Sequence, residues 1–539
     1  MWMLLPERIK NIKATPPAQT ISRIQHIVSR LGCHTELTDD STPPFFSCRL
    51  ALFRGDEKLP IFSTSGKGMD AELAAASALA ELMERLQNLA FYMSTIYFSE
   101  PENCSPADES PTTFKYSADE QSLRAEELVE RDFILLRGLL AQQKITKSGL
   151  KEYLTNGLHW QTMRCVPFIN HVTDNKAWVP FRFLQWIVGS NGMCAGNSRE
   201  EALVQGLSEI CERYVLKRFY THPFTPPEIP LDYFVGVPIY ERIRQLQKDA
   251  KLKISIKDCS MTIGLPVVGV LLVSPDNRNY CFHLGADPCP ITALERCFTE
   301  LYQGRRRAFY PIVGLPEDEQ PLDHSSWRQQ LHRTISSCSG KWPVRILAAN
   351  ADYEFRRFSH PVSTSDHEDF QWLLQKMDEL GYSLLIRESG FLGFPAFHVF
   401  VPGMSEMTNV LHNRFVEQLS HFERLLPLFY KMKNASPTQR QNVADGIEAY
   451  AAASLNNEFD SRSFFRHCPH APAAAMSGAE IVAALRTGLL PESQPDCFDC
   501  NDCTEIDCRF ASMSSVWETI KQYQRDVYPG RHLDEDANR

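Results

Sequence analysis

The stretch NGMCAGNSREEALVQGLSEICERY, residues 191–214, decides how the chain is read. It opens on Gly and Asn, residues of turns, and runs on as a helix. At about 100° per residue, Glu201, Gln205, Glu209 and Glu212 fall within roughly an 80° arc, while Leu203, Leu207 and Ile210 face away. One side is built for a core; the other gathers carboxylates. Like charges at this spacing cost roughly 0.2–0.5 kcal/mol per pair unless a cation answers them, and Arg213 alone lies close by in sequence. A solvated acidic face is the ordinary explanation, and this stretch by itself does not displace it.

The device recurs, and that shifts the balance. SALAELMER (77–85) aligns with QGLSEICER (205–213), sharing Leu, two Glu and a terminal Glu-Arg, and each copy follows a Gly-containing turn after a strand pattern. A third helix, ITALERCFTELYQGRRRAF (291–309), carries Glu295, Arg296 and Glu300 after the Gly of HLGADP. Three acidic helix faces after similar strand–turn units imply convergence on one site. Hard cations such as Mg²⁺ take oxygen ligands and sit between carboxylates and substrate phosphates. Arg213 and Arg296, with Lys67 or another basic group, could take the remaining phosphate charge. Ser77, Asn197, Glu201 and Gln205 supply hydrogen-bond partners for a sugar or base. The pattern describes a Mg–nucleotide site without the usual signatures: GKG at 66–68 is not a P-loop, and no G-x-G-x-x-G leads into a helix.

Composition bounds the rest. The chain has 539 residues, 43% hydrophobic and 23% charged, enough for one large domain with an appendage. A net charge of −10 without a long Lys/Arg run argues against direct nucleic-acid binding. The opening MWMLLPERIK lacks the pattern of a signal peptide, and PVVGVLLV (266–273) is too short to span a membrane and reads as a buried strand. Sixteen cysteines, mostly scattered singly, suit reduced thiols in the cytoplasm.

Along the chain, a helix is expected at 20–32 and strands at 45–54. The expected long helix AELAAASALAELMERLQNLAFYMS begins at residue 71, and an acidic, Ser/Pro-rich segment over 99–122 reads as a mobile surface loop or lid. WVPFRFL (178–184), the segments around LPVVGVLLVSP and YCFHLGADP, YSLLIRES and AFHVFVPGM read as strands, and FQWLLQKMDELG (370–381) as an amphipathic helix. Alternating strands and helices imply a mixed α/β fold. The expected domains are 1–430, holding the ATP/Mg site, and a mainly helical, Cys-containing extension over 431–539.

GKGMDAELAAASALAELMERL, NGMCAGNSREEALVQGLSEICERY and GADPCPITALERCFTELYQGR, with VPGMSEM at 401–407, resemble the signature blocks of the YcaO family over about residues 5–410. The resemblance implies an α/β ATP-binding domain with mixed sheets and packed helices, in which paired Glu residues hold Mg²⁺ on the nucleotide phosphates. By matching position, Glu81, Glu84, Glu209, Glu212 and Glu300 resemble the metal-binding acids. Ser77, Asn197, Glu201, Gln205, Arg213 and Arg296 resemble nucleotide contacts, and Lys13 and Thr20 fall where the family places a phosphate-binding Lys and hydroxyl.

The implied chemistry is on a peptide backbone. After a nucleophile attacks an amide carbon, ATP phosphorylates the amide oxygen, and loss of phosphate leaves an azoline, an amidine or a thioamide. Azoline-forming members end in a proline-rich tail and work with a peptide-clamp or E1-like partner. This sequence ends LDEDANR, so azoline synthesis on a peptide natural product is not expected. An enterobacterial member is instead linked to β-methylthiolation of a ribosomal protein as an accessory to the radical enzyme RimO. The resemblance therefore implies ATP and Mg²⁺ as cofactors and a peptide or protein substrate, including a ribosomal protein handled with a RimO-like methylthiotransferase. A homodimer is left open. The reading from another class is a non-catalytic, nucleotide-gated accessory or sulfur/metal-handling protein partnering such an enzyme.

DCFDCNDCTEIDCRF places Cys497, Cys500, Cys503 and Cys508 in a C-x2-C-x2-C-x4-C pattern that suits an Fe–S cluster or Zn²⁺. An acidic Cys-rich tail without metal is the alternative. Cys194 and Cys211 read as packing residues.

Overall fold

The structure, a computed structural model, describes residues 15–89, 119, 121–139, 145–157, 161–303, 310–311, 330–331, 333–335, 340–358, 365–407, 436–453, 482–483 and 486–487. The chain divides into two compact units, one of residues 1–89, 169–175 and 190–407, the other of 90–168, 176–189 and 408–539.

The first unit begins with helix α1 (Pro17–Arg30), ended by Gly32 at a φ of 71°. An antiparallel meander follows: β1 (His34–Asp39), β2 (Phe46–Arg54) and β3 (Glu57–Gly68). β3 feeds helix α2 (Ala71–Glu84), whose N-terminus is capped by Asp70 accepting from the Leu73 amide at 2.8 Å. A Cβ on Gly66 would stand 1.9 Å from the Ala74 carbonyl oxygen and 2.5 Å from the Ala78 amide nitrogen. The strand can lie this close to the helix because Gly66 has no side chain.

The expected single long helix from residue 71 changes character at Arg85, where α2 gives way to a π-helical turn, Arg85–Leu89. The turn is anchored by buried amides. Gln87 donates to the Phe394 carbonyl at 3.1 Å and accepts from the Leu392 amide at 2.8 Å, while Asn88 donates to the Phe397 carbonyl at 3.3 Å. Residues 90–94 of the expected helix lie outside the described residues.

In the second unit, β4 (Gln121–Arg124) pairs antiparallel with β5 (Thr162–Asn170), whose last two residues belong to the first unit. The expected loop at 99–122 therefore closes in a strand at its described end; residues 99–118 and 120 lie outside the described residues. Between them come α3 (Ala125–Leu139) and α4 (Lys147–Glu152). β6 (Lys176–Pro180) covers only the start of the expected strand at 178–184. Phe181–Phe183 is helical and Leu184–Val188 a π-helical turn, because Phe181, Leu184 and Ile187 are buried at helical spacing rather than in alternation.

The chain returns to the first unit with β7 (Met193–Ala195) and the long helix α5 (Arg199–Thr221), capped by Ser198 accepting from the Glu201 amide at 3.1 Å. Then come β8 (Glu228–Ile229), α6 (Pro238–Asp249), β9 (Lys253–Asp258), β10 (Val267–Val273), β11 (Asn279–Ala286), helix α7 (Pro290–Leu301) and β12 (Tyr310–Pro311). The strands form a five-stranded antiparallel sheet in the order β12-β11-β10-β9-β8. β10 is the apolar run anticipated as a buried strand, and both its faces are covered. Val267 and Leu271 join a core with α5's Leu207, Ile210 and Phe219, while Val268, Val270 and Leu272 join another with Leu294 and Phe298 of α7 and Ile243 of α6.

Helix α8 (Asp366–Glu379) adds Phe370, Leu373 and Met377 to the α5 core. β13 (Leu385–Glu388) and β14 (Ala396–Phe400) complete a second sheet region in which β13 pairs with β14 and β14 with β7. Helix α9 (Pro437–Ala453) is the main described element beyond residue 407. The architecture is mixed α/β with antiparallel sheets, as the alternation in the sequence predicts. The described cysteines are free thiols. Among the described residues, no helix is long and apolar enough to cross a membrane.

Candidate functional site

The three acidic helices lie in one unit, each delivered by a strand: α2 by β3, α5 by β7, α7 by β11. The last connection repeats the glycine device of the first, since a Cβ on Gly285 would meet the Ala293 carbonyl at 2.4 Å and the Cys297 amide at 2.8 Å. The inner faces of the helices are closed by core residues, and the glutamates are left on the other.

The carboxylates do not stand without counterions, contrary to what the spacing of α5 alone implied. Arg85 reaches Glu81 at 3.3 Å and Glu84 at 3.5 Å, Arg213 reaches Glu209 at 2.9 Å, and Lys67 pairs with Glu300. Lys67 comes from another segment, which a wheel of one helix cannot display, while Arg85 closes α2 itself, four positions after Glu81. Glu84 is the most enclosed of these acids, with 13% of its side chain exposed. Burial pushes its carboxyl up to about 8; Arg85 opposes the shift, and Glu209 and Glu81 add to it. Glu212 is pushed up to about 7, first by burial, with Lys67 and Arg213 opposing, Glu209 adding and Arg296 opposing. The mutual influence of Glu84 with Glu209, and of Glu212 with Lys67 and Arg296, brings α2, α5, β3 and α7 to one place. Arg296 is tied to Asp287, 8% exposed, at 3.1 Å. Glu295, on the same helix, is pushed up to about 7 by burial, against the opposing charge of Arg242.

A second group sits at the start of α5. The Thr20 hydroxyl of α1 donates to the Asn197 side-chain carbonyl at 2.8 Å. Asn197 in turn donates to one Glu201 carboxylate oxygen from its side-chain amide at 3.1 Å and its backbone amide at 3.2 Å. Thr20, Asn197 and Glu201, all candidate nucleotide contacts, thus form one hydrogen-bonded chain. Ser77 and Gln205, both half-buried, lie one turn before Glu81 and Glu209 on their helices. From Glu201 to Glu209 the helix rises about 12 Å.

Lys13 and the four cysteines at 497, 500, 503 and 508 lie outside the described residues. Cys194 and Cys211 are fully buried, and burial raises both thiols, Cys211 up to about 12. They are packing residues, as expected. Arg85 and Asp287 were not singled out in the sequence. Arg85 carries a visible signal, the Glu-Arg ending shared by 84–85 and 212–213, whereas the role of Asp287 emerges only once α7 folds back towards β11.

Among the described residues, no three His, Cys, Asp or Glu side chains stand close enough to hold a metal on their own. A cation that keeps waters and takes one or two carboxylates plus phosphate oxygens does not need three. The pairs Glu81/Glu84 and Glu209/Glu212, all-oxygen and half-buried, fit such an ion.

Residues 65–405 match the model of a family described as YcaO cyclodehydratase, ATP- and Mg²⁺-binding. The ribosomal protein S12 methylthiotransferase accessory factor YcaO of Escherichia coli K12 is 29% identical over 393 residues, covering 72% of this chain and 64% of that protein. An uncharacterized protein of Haemophilus influenzae is 27% identical over 393 residues, with the same coverage of both chains. The chain thus spans 64% of the length of these two relatives. Among solved structures, YcaO from Methanopyrus kandleri bound with AMPPCP and Mg²⁺ is similar at 18% identity and a TM-score of 0.44, covering 74% of this chain and 93% of that one. A heterocyclase in complex with substrate and cofactor is similar at 19% identity and a TM-score of 0.47, covering 73% and 53%.

Proposed function

Because the chain belongs to the YcaO family, we propose that it binds ATP with Mg²⁺ between α2, α5 and α7 and uses the γ-phosphate to activate the oxygen of a peptide or protein backbone amide. The observation that carries this reading is the meeting of Glu81, Glu84, Glu209, Glu212 and Glu300 with Lys67, Arg85 and Arg213 in one unit.

The five glutamates would hold Mg²⁺, which when bound supplies charge neutralisation and Lewis acidity on phosphate oxygens. Each residue of the chain then has a task. Glu84 and Glu212, which burial biases towards the protonated form, would give up their protons in order to ligate the cation as carboxylates. Arg213 and Lys67, paired with carboxylates before ligand arrives, can turn to phosphate oxygens, and Arg296 is aimed by Asp287 for the same work. Ser77, Asn197, Glu201 and Gln205 form the nucleoside end, with Lys13 and Thr20 assigned to phosphate. The rise from Glu201 to Glu209 separates the two ends along a single helix. In the transfer the amide oxygen takes the phosphoryl group and ADP leaves. That oxygen departs with phosphate once the carbon has bonded to an incoming nucleophile.

Similarity to the E. coli accessory factor supports a second reading, in which the protein assists β-methylthiolation of a ribosomal protein beside a RimO-like methylthiotransferase. Peptide-dependent release of ADP and phosphate, lost in Glu209→Ala, is the result expected of the amide-activating reading. ATP binding without such turnover, with co-purification of a methylthiotransferase, would replace it by the accessory reading. Four thiolates at 497–508 remain assigned to an Fe–S cluster or Zn²⁺, which metal analysis of the full chain tests.

A further inference from the structure

At the end of the five-stranded sheet where β9 and β11 finish lies a cavity of about 470 Å³. That volume is in the range of pockets that hold ligands. Its inner wall includes Asp258 and Asp287, and both carboxylates are committed within the protein. Asp258 accepts from the Ser260 amide at 2.9 Å; Asp287 accepts from the Cys289 amide at 2.9 Å and pairs with Arg296.

The outer wall is a strap, residues 352–358, fastened by its own side chains. Asp352 accepts from the Thr225 amide at 3.0 Å and pairs with Arg345 at 2.9 Å, while the Tyr353 hydroxyl donates to the Asp258 carbonyl at 2.6 Å. Phe355 and Phe358 pack edge-on against Tyr233, and Arg357 stands 5.9 Å from the centre of the same ring. So fixed, the strap presents exposed Arg356 and Arg357 to the cavity, with Glu354 as the exposed acid beside them. Trp372 of α8 forms the opposite side, with the Lys376 ammonium 5.8 Å from its ring centre. Tyr353 and Trp372 bring aromatic rings to the lining, whose exposed charged residues are Arg356, Arg357 and Glu354.

We propose that this cavity docks the acceptor polypeptide, and that it selects an acidic segment, with a carboxylate at Arg356 and Arg357 and an apolar or aromatic side chain between Tyr353 and Trp372. The inference rests on the amide-activating reading above, because Asp287 both lines the cavity and aims Arg296 of the nucleotide cluster. The acceptor and the phosphate end would then be separated by one side chain.

The test uses the full chain and a display library of short random peptides. Enriched sequences are expected to pair Asp or Glu with an apolar or aromatic neighbour. Fluorescence anisotropy with the best labelled peptide should show binding weakened about tenfold or more by the double variant R356E/R357E, and separately by Trp372→Ala. Circular dichroism confirms that each variant is folded, and calorimetry with a non-hydrolysable Mg–ATP analogue should return affinities within about twofold of the parent chain. Enrichment of peptides without acidic residues, or equal binding by the variants, overturns the proposal, as does capture of a single-stranded RNA oligonucleotide through the same arginines. Failure of the nucleotide reading has its own signature, unchanged Mg–ATP binding in Glu209→Ala, and is not confused with these outcomes.

Discussion

The hydroxyl of Thr20 donates to the side-chain carbonyl of Asn197 at 2.8 Å, joining α1 to the first turn of α5. Thr20 is 3% exposed, and its loss leaves the half-buried Asn197 acceptor without that donor. Thr20→Val should destabilise the protein by about 1 kcal/mol and weaken nucleotide binding about tenfold or less. A double-mutant cycle with Asn197→Ala should return a coupling energy of about 1 kcal/mol, and additive effects would show that the bond carries nothing.

Arg85 is the resident counterion of Glu81 and Glu84. Arg85→Met should lower the melting temperature of the metal-free protein by several degrees, because it leaves two half-buried carboxylates facing Glu209. Added Mg²⁺ with an ATP analogue should narrow the gap between variant and parent. Scanning fluorimetry with and without Mg²⁺ reads both effects.

The raised carboxyls fix a direction for pH. In the ligand-free protein Glu84 sits near 8, and Glu212 and Glu295 near 7, each above its unfolded value. The folded state therefore holds protons that the unfolded chain releases, and stability falls as pH rises from about 4.5 to about 8. Denaturant titrations across that window should show the decline. The mirror effect is on Mg²⁺, whose binding should strengthen over the upper part of the window with release of protons, measurable by calorimetry in buffers of different ionisation heat.

Gly66→Ala should be among the most damaging single changes. Its Cβ would lie 1.9 Å from the Ala74 carbonyl oxygen, so β3 and α2 must separate. A loss of about 3 kcal/mol or more, with Lys67 displaced from Glu300, is expected from chemical denaturation and nucleotide titration.

The acidic faces of α2, α5 and α7 were legible in the sequence because helical periodicity acts within one segment, and the repeated Glu-Arg endings hinted that the segments share a site. The strand β10 was legible for a similar reason, since its apolar run has no polar face to display. What periodicity cannot report is contact between segments. Lys67 against Glu300 and Asp287 against Arg296 depend on how strands and helices pack, whereas Arg85 with Glu81 is an i,i+4 pair within one segment. WVPFRFL misled because its aromatic residues suit a strand, while tertiary burial of Phe181, Leu184 and Ile187 selects a helical turn. The π-helical turn after Glu84 was likewise invisible, because Gln87 and Asn88 are held by carbonyls more than 300 residues away.

The central claim is that the glutamate pairs bind nucleotide through Mg²⁺, and calorimetric titration of the full chain with a non-hydrolysable ATP analogue tests it most directly. Tight binding is expected with Mg²⁺ present, with a loss of about a hundredfold or more in chelator and in each of Glu81→Ala and Glu209→Ala. Binding that is equally tight without Mg²⁺, or in both variants, would contradict it.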